Sequence, residues 1–343
     1  MQLINKLILA FCAAIIACTE PIQYDVSREN SRVVISGQLT DSLEYQTIRV
    51  SKSVLLSKDD LTQDIPIDNA SIQVITQKGE VYDFFSKGQG IYTSLFKGQN
   101  NEKYKAQINI EGTQYESEFE QLLDPSNLPT IKSELVTEKI LTSNNTIVEE
   151  VSVSLQSDNT LKAGEHFLYR VYGEYEFQEF NPPATNTKAC YITTILDESS
   201  VSIASREEFK SGVFEKKEIL KTSFDYPFRI QYCFHVSQHS INEKAYRYWN
   251  KVNQTLKIGT NLFDPPPGKI IGNFKNVNNP DEEVLGYFTV SSVKYVRHFT
   301  NMGKLNALAP DPCRIRFNQT RPAECADCLT LPFSSSQKPP YWF

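Results

Sequence analysis

Methionine and tryptophan are nearly absent from this chain, at two residues each, and only four of its 343 residues are histidine. Scarce methionine removes the usual filler of irregular helical cores and argues against a helical bundle. Basic excess is lacking as well: 35 Lys and Arg stand against 41 Asp and Glu, a formal charge of −6. A nucleic-acid partner would want a basic face, so none is expected. After residue 17 no apolar stretch nears the roughly 18 residues of a membrane-spanning helix. What is present is aromatic: 20 Phe and 17 Tyr, in a chain that is 40% hydrophobic and 22% charged. That balance belongs to a globular protein and suits pleated sheets and sugar- or peptide-contacting surfaces. The length fits two domains or one large one.

The first residues carry an address. Lys6 precedes the apolar stretch Leu7 to Ala17, and Ile15-Ile16-Ala17-Cys18 reads as a bacterial lipobox. Residues 1–17 are thus expected to be a removable signal peptide, with Cys18 taking the lipid, palmitate among its acyl chains, that anchors a lipoprotein to a membrane. Residues 18–29, with Glu20, Asp25 and Glu29, read as an acidic tether.

Short bursts of alternating apolar and polar residues follow, the period-two signal of half-buried strands. They are Val33-Val34-Ile35 with Leu39, Thr47 to Val50, Ser71 to Val74, Glu80 to Phe84, Tyr104 to Ile110 and Gln114 to Phe119. Their spacing predicts an all-β fold, mainly antiparallel, with an Ig-like or transthyretin-like sandwich over residues 30–122. Pro125 and Pro129 then stiffen a connection. Residues 130–343 are expected to form a larger β-rich domain ending in a cysteine-containing tail, with strands at Glu150 to Leu155, His166 to Phe177 and Phe228 to Val236. One amphipathic helix is predicted over Ser240 to Leu256. Ser240-Ile241-Asn242-Glu243 reads as its capping box, Ala245, Trp249 and Val252 as its buried face, and Gly259 as its stop.

Beyond it come Phe263-Asp264-Pro265-Pro266-Pro267-Gly268, Ile271-Gly272-Asn273 and Asn276 to Phe288, then Ser291-Ser292-Val293. With Cys18 to Ile22, Val33 to Gly37, and an ending of Cys325-Ala326-Asp327-Cys328, Lys338-Pro339 and Trp342, these residues resemble the Bacteroidota lipoprotein family of domain of unknown function 4249. Members commonly carry a glycine pair after the last cysteine, where this chain has Pro332 to Ser336. The resemblance implies a surface-exposed outer-membrane lipoprotein, often encoded beside a TonB-dependent transporter, with no agreed molecular activity, and it supplies no catalytic residues. Asp41-Ser42-Leu43 is similar to the short acceptor of exported Bacteroidota O-glycosylation, with Ser42 expected on an exposed hairpin.

Physically, Asn278 to Asp281 reads as a turn and Val284 to Val290 as a strand. A calcium site from Asn276, Asn278, Asp281 and Glu283 matches no EF-hand spacing, and Asx-rich turns are far commoner. After Cys12 and Cys18, five cysteines remain. Outside the cytoplasm the default is disulfide bonding, with Cys190, Cys313, Cys325 and Cys328 as candidates and the tail stapled to the second domain through Cys190. A zinc site from the same four is the alternative, and Cys233, His235 and His239 are ligand types at ligand spacing. Neither is preferred: no metal and no cofactor is expected. No nucleophile elbow, zincin helix or phosphate loop occurs beyond the isolated Gly88-Gln89-Gly90, and Glu149-Glu150 and Glu282-Glu283 are sequence neighbours that point to opposite faces of a strand.

A non-enzymatic accessory protein for nutrient capture is therefore expected, lipid-anchored at the outer membrane and probing a glycan or peptide ligand. The alternatives are a glycan- or matrix-binding adhesin, and a hydrolase whose carboxylate pair is assembled by the fold. Tyr341, Trp342 and Phe343 are too apolar to stay in water and are expected to dock on the second domain.

Overall fold

A computed structural model of the chain describes residues 31–54, 64–141, 147–158, 164–180, 187–194, 196, 201–208, 217–257, 269–314 and 320–343. Alternation becomes strand almost wherever it occurs. The first half forms β1 (Val33–Thr40), β2 (Glu44–Ser53), β3 (Asp64–Pro66), β4 (Ser71–Thr76), β5 (Val81–Gly88), β6 (Ile91–Phe96), β7 (Lys103–Ile110), β8 (Thr113–Ser117) and β9 (Glu120–Gln121). The second forms β10 (Thr130–Leu141), β11 (Ile147–Asp158), β12 (His166–Gln178), β13 (Ala189–Thr194), β14 (Ser202–Ser205), β15 (Lys217–Ser223), β16 (Tyr232–Ile241), β17 (Phe274–Asn276), β18 (Phe288–Thr300) and β19 (Ser334–Ser335). The main helix is α1 (Glu243–Lys257), and α2 (Met302–Leu305) is a single turn. In β7, Tyr104, Ala106, Ile108 and Ile110 are all buried, as period two requires. The chain is mostly β and mainly antiparallel.

Sixteen strands join in the order β17-β8-β7-β4-β5-β6-β2-β1-β18-β16-β12-β13-β19, with β3, β9 and β14 beside β2, β7 and β12. β10, β11 and β15 form a second sheet. The N-terminal strands enclose one core, with Ile35, Ile48, Val74, Tyr104 and Ile108 inside. Phe274, Val284, Phe288 and Val290 complete that core, so late residues close a unit that the contiguous reading drew as 30–122. In the second half the three-stranded sheet lays Val153, Leu155 and Ile219 against Phe167, Tyr232, Phe234 and Val236, a two-layer packing. Residues 122–129 run between the halves without regular structure, pinned where Gln238 donates to Ser126 and Ser292 to the Asp124 carbonyl.

The halves meet where β1 pairs in parallel with β18, Gly37 opposite Phe288. Backbones pass so closely here that a Cβ on Gly286, whose φ is 96°, would lie 2.0 Å from the Ile35 carbonyl oxygen. A Cβ on Gly272 would lie 1.9 Å from the Gly286 oxygen. Asn273 completes the joint: its amide donates to the Phe288 carbonyl and its oxygen accepts from the Phe288 N–H, as a paired strand would. Asn273, Tyr287 and Asn242 all donate to buried Glu120. Burial still holds that carboxyl above its ordinary value.

Three element boundaries differ from the sequence reading. The strand expected from Phe228 begins only at Tyr232, because Asp225 caps a 3-10 turn with Pro227 inside it over Tyr226–Phe228. The strand expected from Val284 begins at Phe288: residues 284–287 instead lie along β1 through an isolated bridge, Leu285 opposite Val34. The helix is capped by Asn242 rather than Ser240, since pairing with β12 keeps Ser240 and Ile241 in β16. The Asn242 oxygen accepts from Ala245 N–H at 2.8 Å. Ala245 is buried, Trp249 and Val252 half-buried, and Leu256 exposed, while Gly259 and Pro265 to Pro267 lie outside the described residues. Asn242→Ala removes both the cap and a donor to Glu120, so chemical denaturation should show a loss of roughly 1–3 kcal/mol. An unchanged midpoint would refute the double role.

Candidate functional site

In β12, β16 and β18 the odd and even residues part company. Tyr232, Phe234 and Val236 enter the core, and the other face is read across the strands in rows. The rows are Glu174, Cys233 and Phe299; Tyr172, His235 and Arg297; Arg170, Ser237 and Tyr295; and Leu168, His239 and Val293. The last row is covered by α1, whose Ala245 packs with Leu168 and whose Trp249 carries the Arg170 guanidinium 5.5 Å above its ring. The first row is covered by the C-terminal tail.

The tail is docked as its composition requires. Trp342 is buried with Tyr191 and Cys233, and its Nε1 donates to Glu176 at 3.0 Å. The Tyr341 hydroxyl donates to Glu174 at 2.6 Å, and His235 Nε2 lies 3.1 Å from the same oxygen. Burial pushes the Glu174 carboxyl up, but the His235 and Tyr341 hydrogen bonds outweigh it and hold it below the ordinary value. Phe343 stays exposed.

Two rows remain open between helix and tail, as a cavity of about 430 Å³. His235 and Ser237 form its floor. Tyr172 stacks on His235 at 4.3 Å between ring centres, and Tyr295 is anchored by its hydroxyl to Glu44 at 2.9 Å. Both tyrosines keep about half their surface in solvent, at 49% and 55%. Arg297 stacks 4.0 Å over Tyr341. Each open row thus offers one tyrosine and one arginine, on opposite outer strands, around a polar centre. Such a surface has the chemistry to hold a ligand by stacking and charge-assisted hydrogen bonds. Apart from His235 and Tyr341, none of these residues stood out in the sequence. The signal was Arg170-Val171-Tyr172 and Tyr295-Val296-Arg297, but only strand pairing makes neighbours of segments more than a hundred residues apart.

The residues that did stand out are placed elsewhere. Cys18 lies outside the described residues. Disulfides join Cys190 to Cys328 and Cys313 to Cys325, which leaves no thiolates for zinc at those positions. Cys233 is free and buried under the tail, where burial pushes its thiol up to about 12. His235 points into the slot, whereas His239 bonds Ser291 and Ser237, and burial, then Arg170, brings its imidazole down to about 3. Those three residues therefore do not converge. Asn276 accepts from Asn278 and Asn279 N–H groups, Asn278 accepts from Gln114 N–H, and Glu283 pairs with Arg32 and Lys269, so their oxygens serve turns and ion pairs. Glu282 accepts from Tyr115, and Glu149 is an exposed partner of Lys139. Ser42 sits half-buried in the β1–β2 turn, beside exposed Leu43; Asp41 is held by Val293 N–H. Gly88-Gln89-Gly90 forms the β5–β6 hairpin.

No curated protein and no solved structure matches the chain. The family model described as Domain of unknown function (DUF4249) matches residues 19–297, a span that holds the inter-half joint and the slot's sheet face and stops short of the disulfide-bonded tail; the chain belongs to that family.

Proposed function

We propose that the protein is a lipid-anchored, surface-exposed outer-membrane lipoprotein that captures a ligand in the slot between α1 and the tail and works as a non-enzymatic accessory of a TonB-dependent transporter. The observation that carries ligand capture is the pair of half-exposed tyrosines and their flanking arginines, held on a rigid sheet rather than on loops. The lipobox ending at Cys18 supports the anchor, and the tether after it would let the folded part reach a neighbouring barrel. Purification of the native protein from detergent extract should bring a β-barrel transporter with it, and Cys18→Ala should move the protein to the aqueous phase on detergent partitioning. Partitioning equal to that of the native protein would defeat the anchor. Glycan-array binding with no barrel co-purified would favour the adhesin reading, to which the same aromatic face lends itself.

A further inference from the structure

The slot's cations are arranged for an anion. Several of the described arginines are neutralised by neighbours: Arg229 pairs with Asp311, and Arg247 with Glu243. Arg297 makes no direct ion pair among the described residues, the Glu174 carboxylate acting on it only across space, and it stacks its flat face on Tyr341. Stacking occupies the face of a guanidinium and leaves its N–H edge for an oxyanion, which it grips bidentately. Tyr295 stands two residues along β18 on the same face, about 7 Å away at strand rise. Its hydroxyl is tied to Glu44, so its ring is a fixed platform with little rotamer entropy to lose. Ser237 and His235 lie beside these two, and the Ser237 hydroxyl, which donates to the Arg170 carbonyl, keeps an oxygen that can accept from a sugar hydroxyl. A cavity of about 430 Å³ is the size of a small-ligand site.

Resting on the ligand-capture reading above, we propose that the slot takes a hexuronic-acid unit of an acidic glycan, the sugar ring lying on Tyr295 and its carboxylate on Arg297. Tyr172 supplies the platform for the neighbouring sugar. A neutral glycan would leave the Arg297 edge unmatched, and an acidic peptide would not use two ring platforms spaced across the sheet.

Calorimetry on the detergent-solubilised native protein tests this with trigalacturonate, a trimannuronate, a hyaluronan hexasaccharide, methyl-esterified trigalacturonate and triglutamate. At least one uronate should bind, and esterification of trigalacturonate, if that is the binder, or Arg297→Gln in any case, should weaken it roughly tenfold or more. Tyr295→Ala should weaken it similarly, with little change in unfolding temperature because that side chain is half exposed. Comparison of acid with ester needs no variant, so it stands even if Arg297→Gln disturbs the tail. Equal binding of acid and ester would overturn charge recognition while leaving the stacking slot. Binding of triglutamate alone would overturn the sugar class, and binding of none would overturn the proposal. In each case co-purification with a transporter still decides the accessory reading separately.

Discussion

Removing the Cys190–Cys328 disulfide, as Cys190→Ala with Cys328→Ala, is expected to cost about 4–5 kcal/mol and to lower the unfolding temperature by several degrees. The bond spans 138 residues, so it restricts the unfolded chain far more than Cys313–Cys325, which spans 12 and is worth nearer 3 kcal/mol on the same chain-entropy scaling. Both Cys190 and Cys328 are fully buried, and alanine avoids adding an unpaired hydroxyl there. The long bond also ties the tail to β13, so its loss should loosen tail docking, whereas loss of the short bond should not. Scanning calorimetry of the two double variants checks the order. Equal melting of the long-loop variant and the native protein would show that the tail's packing alone holds it.

Deleting residues 339–343, or replacing Trp342 with alanine, is expected to cost about 3–5 kcal/mol, the usual penalty for emptying a buried tryptophan site. Trp342 packs edge-on against Tyr191 and Phe299, each with ring centres 5.3 Å away, and covers Cys233. Its loss should make that thiol reactive toward a bulky maleimide, which it is not while buried. Phe343→Ala is the internal control: that ring is 72% exposed and should change stability by less than about 0.5 kcal/mol. Acid should imitate the deletion in part. The Glu174 carboxyl is held below its unfolded value, so its stabilising contribution is present above the ordinary carboxylate range and is lost as pH falls through the depressed folded value. Deletion should flatten that part of the acid stability curve. A truncated protein as stable as the full one, yet unable to bind its partner, would mean that the aromatic terminus serves an interface and not the fold.

Local chemistry made much of this protein legible. Alternation in Tyr104 to Ile110 specified a strand because one face must be buried, and the apolar spacing of Ala245, Trp249 and Val252 specified a helix for the same reason. Cysteine count in a chain read as exported pointed to disulfides, and the apolar terminus demanded docking. Misplaced boundaries fell where a stronger local signal or a distant partner intervened. The alternation through Phe228 and Ile230 was overridden by Asp225 and Pro227, and residues 284–287 were drawn out of β18 by β1, some 250 residues earlier in the chain. Spacing alone could not choose among disulfide pairings, because that choice depends on which sulfurs the sheet brings together.

The slot belonged wholly to the tertiary structure. Tyr172, His235 and Arg297 share a row only because β12, β16 and β18 pair in one register, and a slip of one residue would send each to the opposite face. Which rows stay open was settled by the helix and the tail, each covering one end of the sheet face to bury its own apolar surface. The sequence by itself determined that the chain would be a sheet protein with an apolar tail, since those follow from residues near one another, and its cysteine count pointed to bonding without the pairing; the place left uncovered was decided by packing between segments that share nothing in sequence.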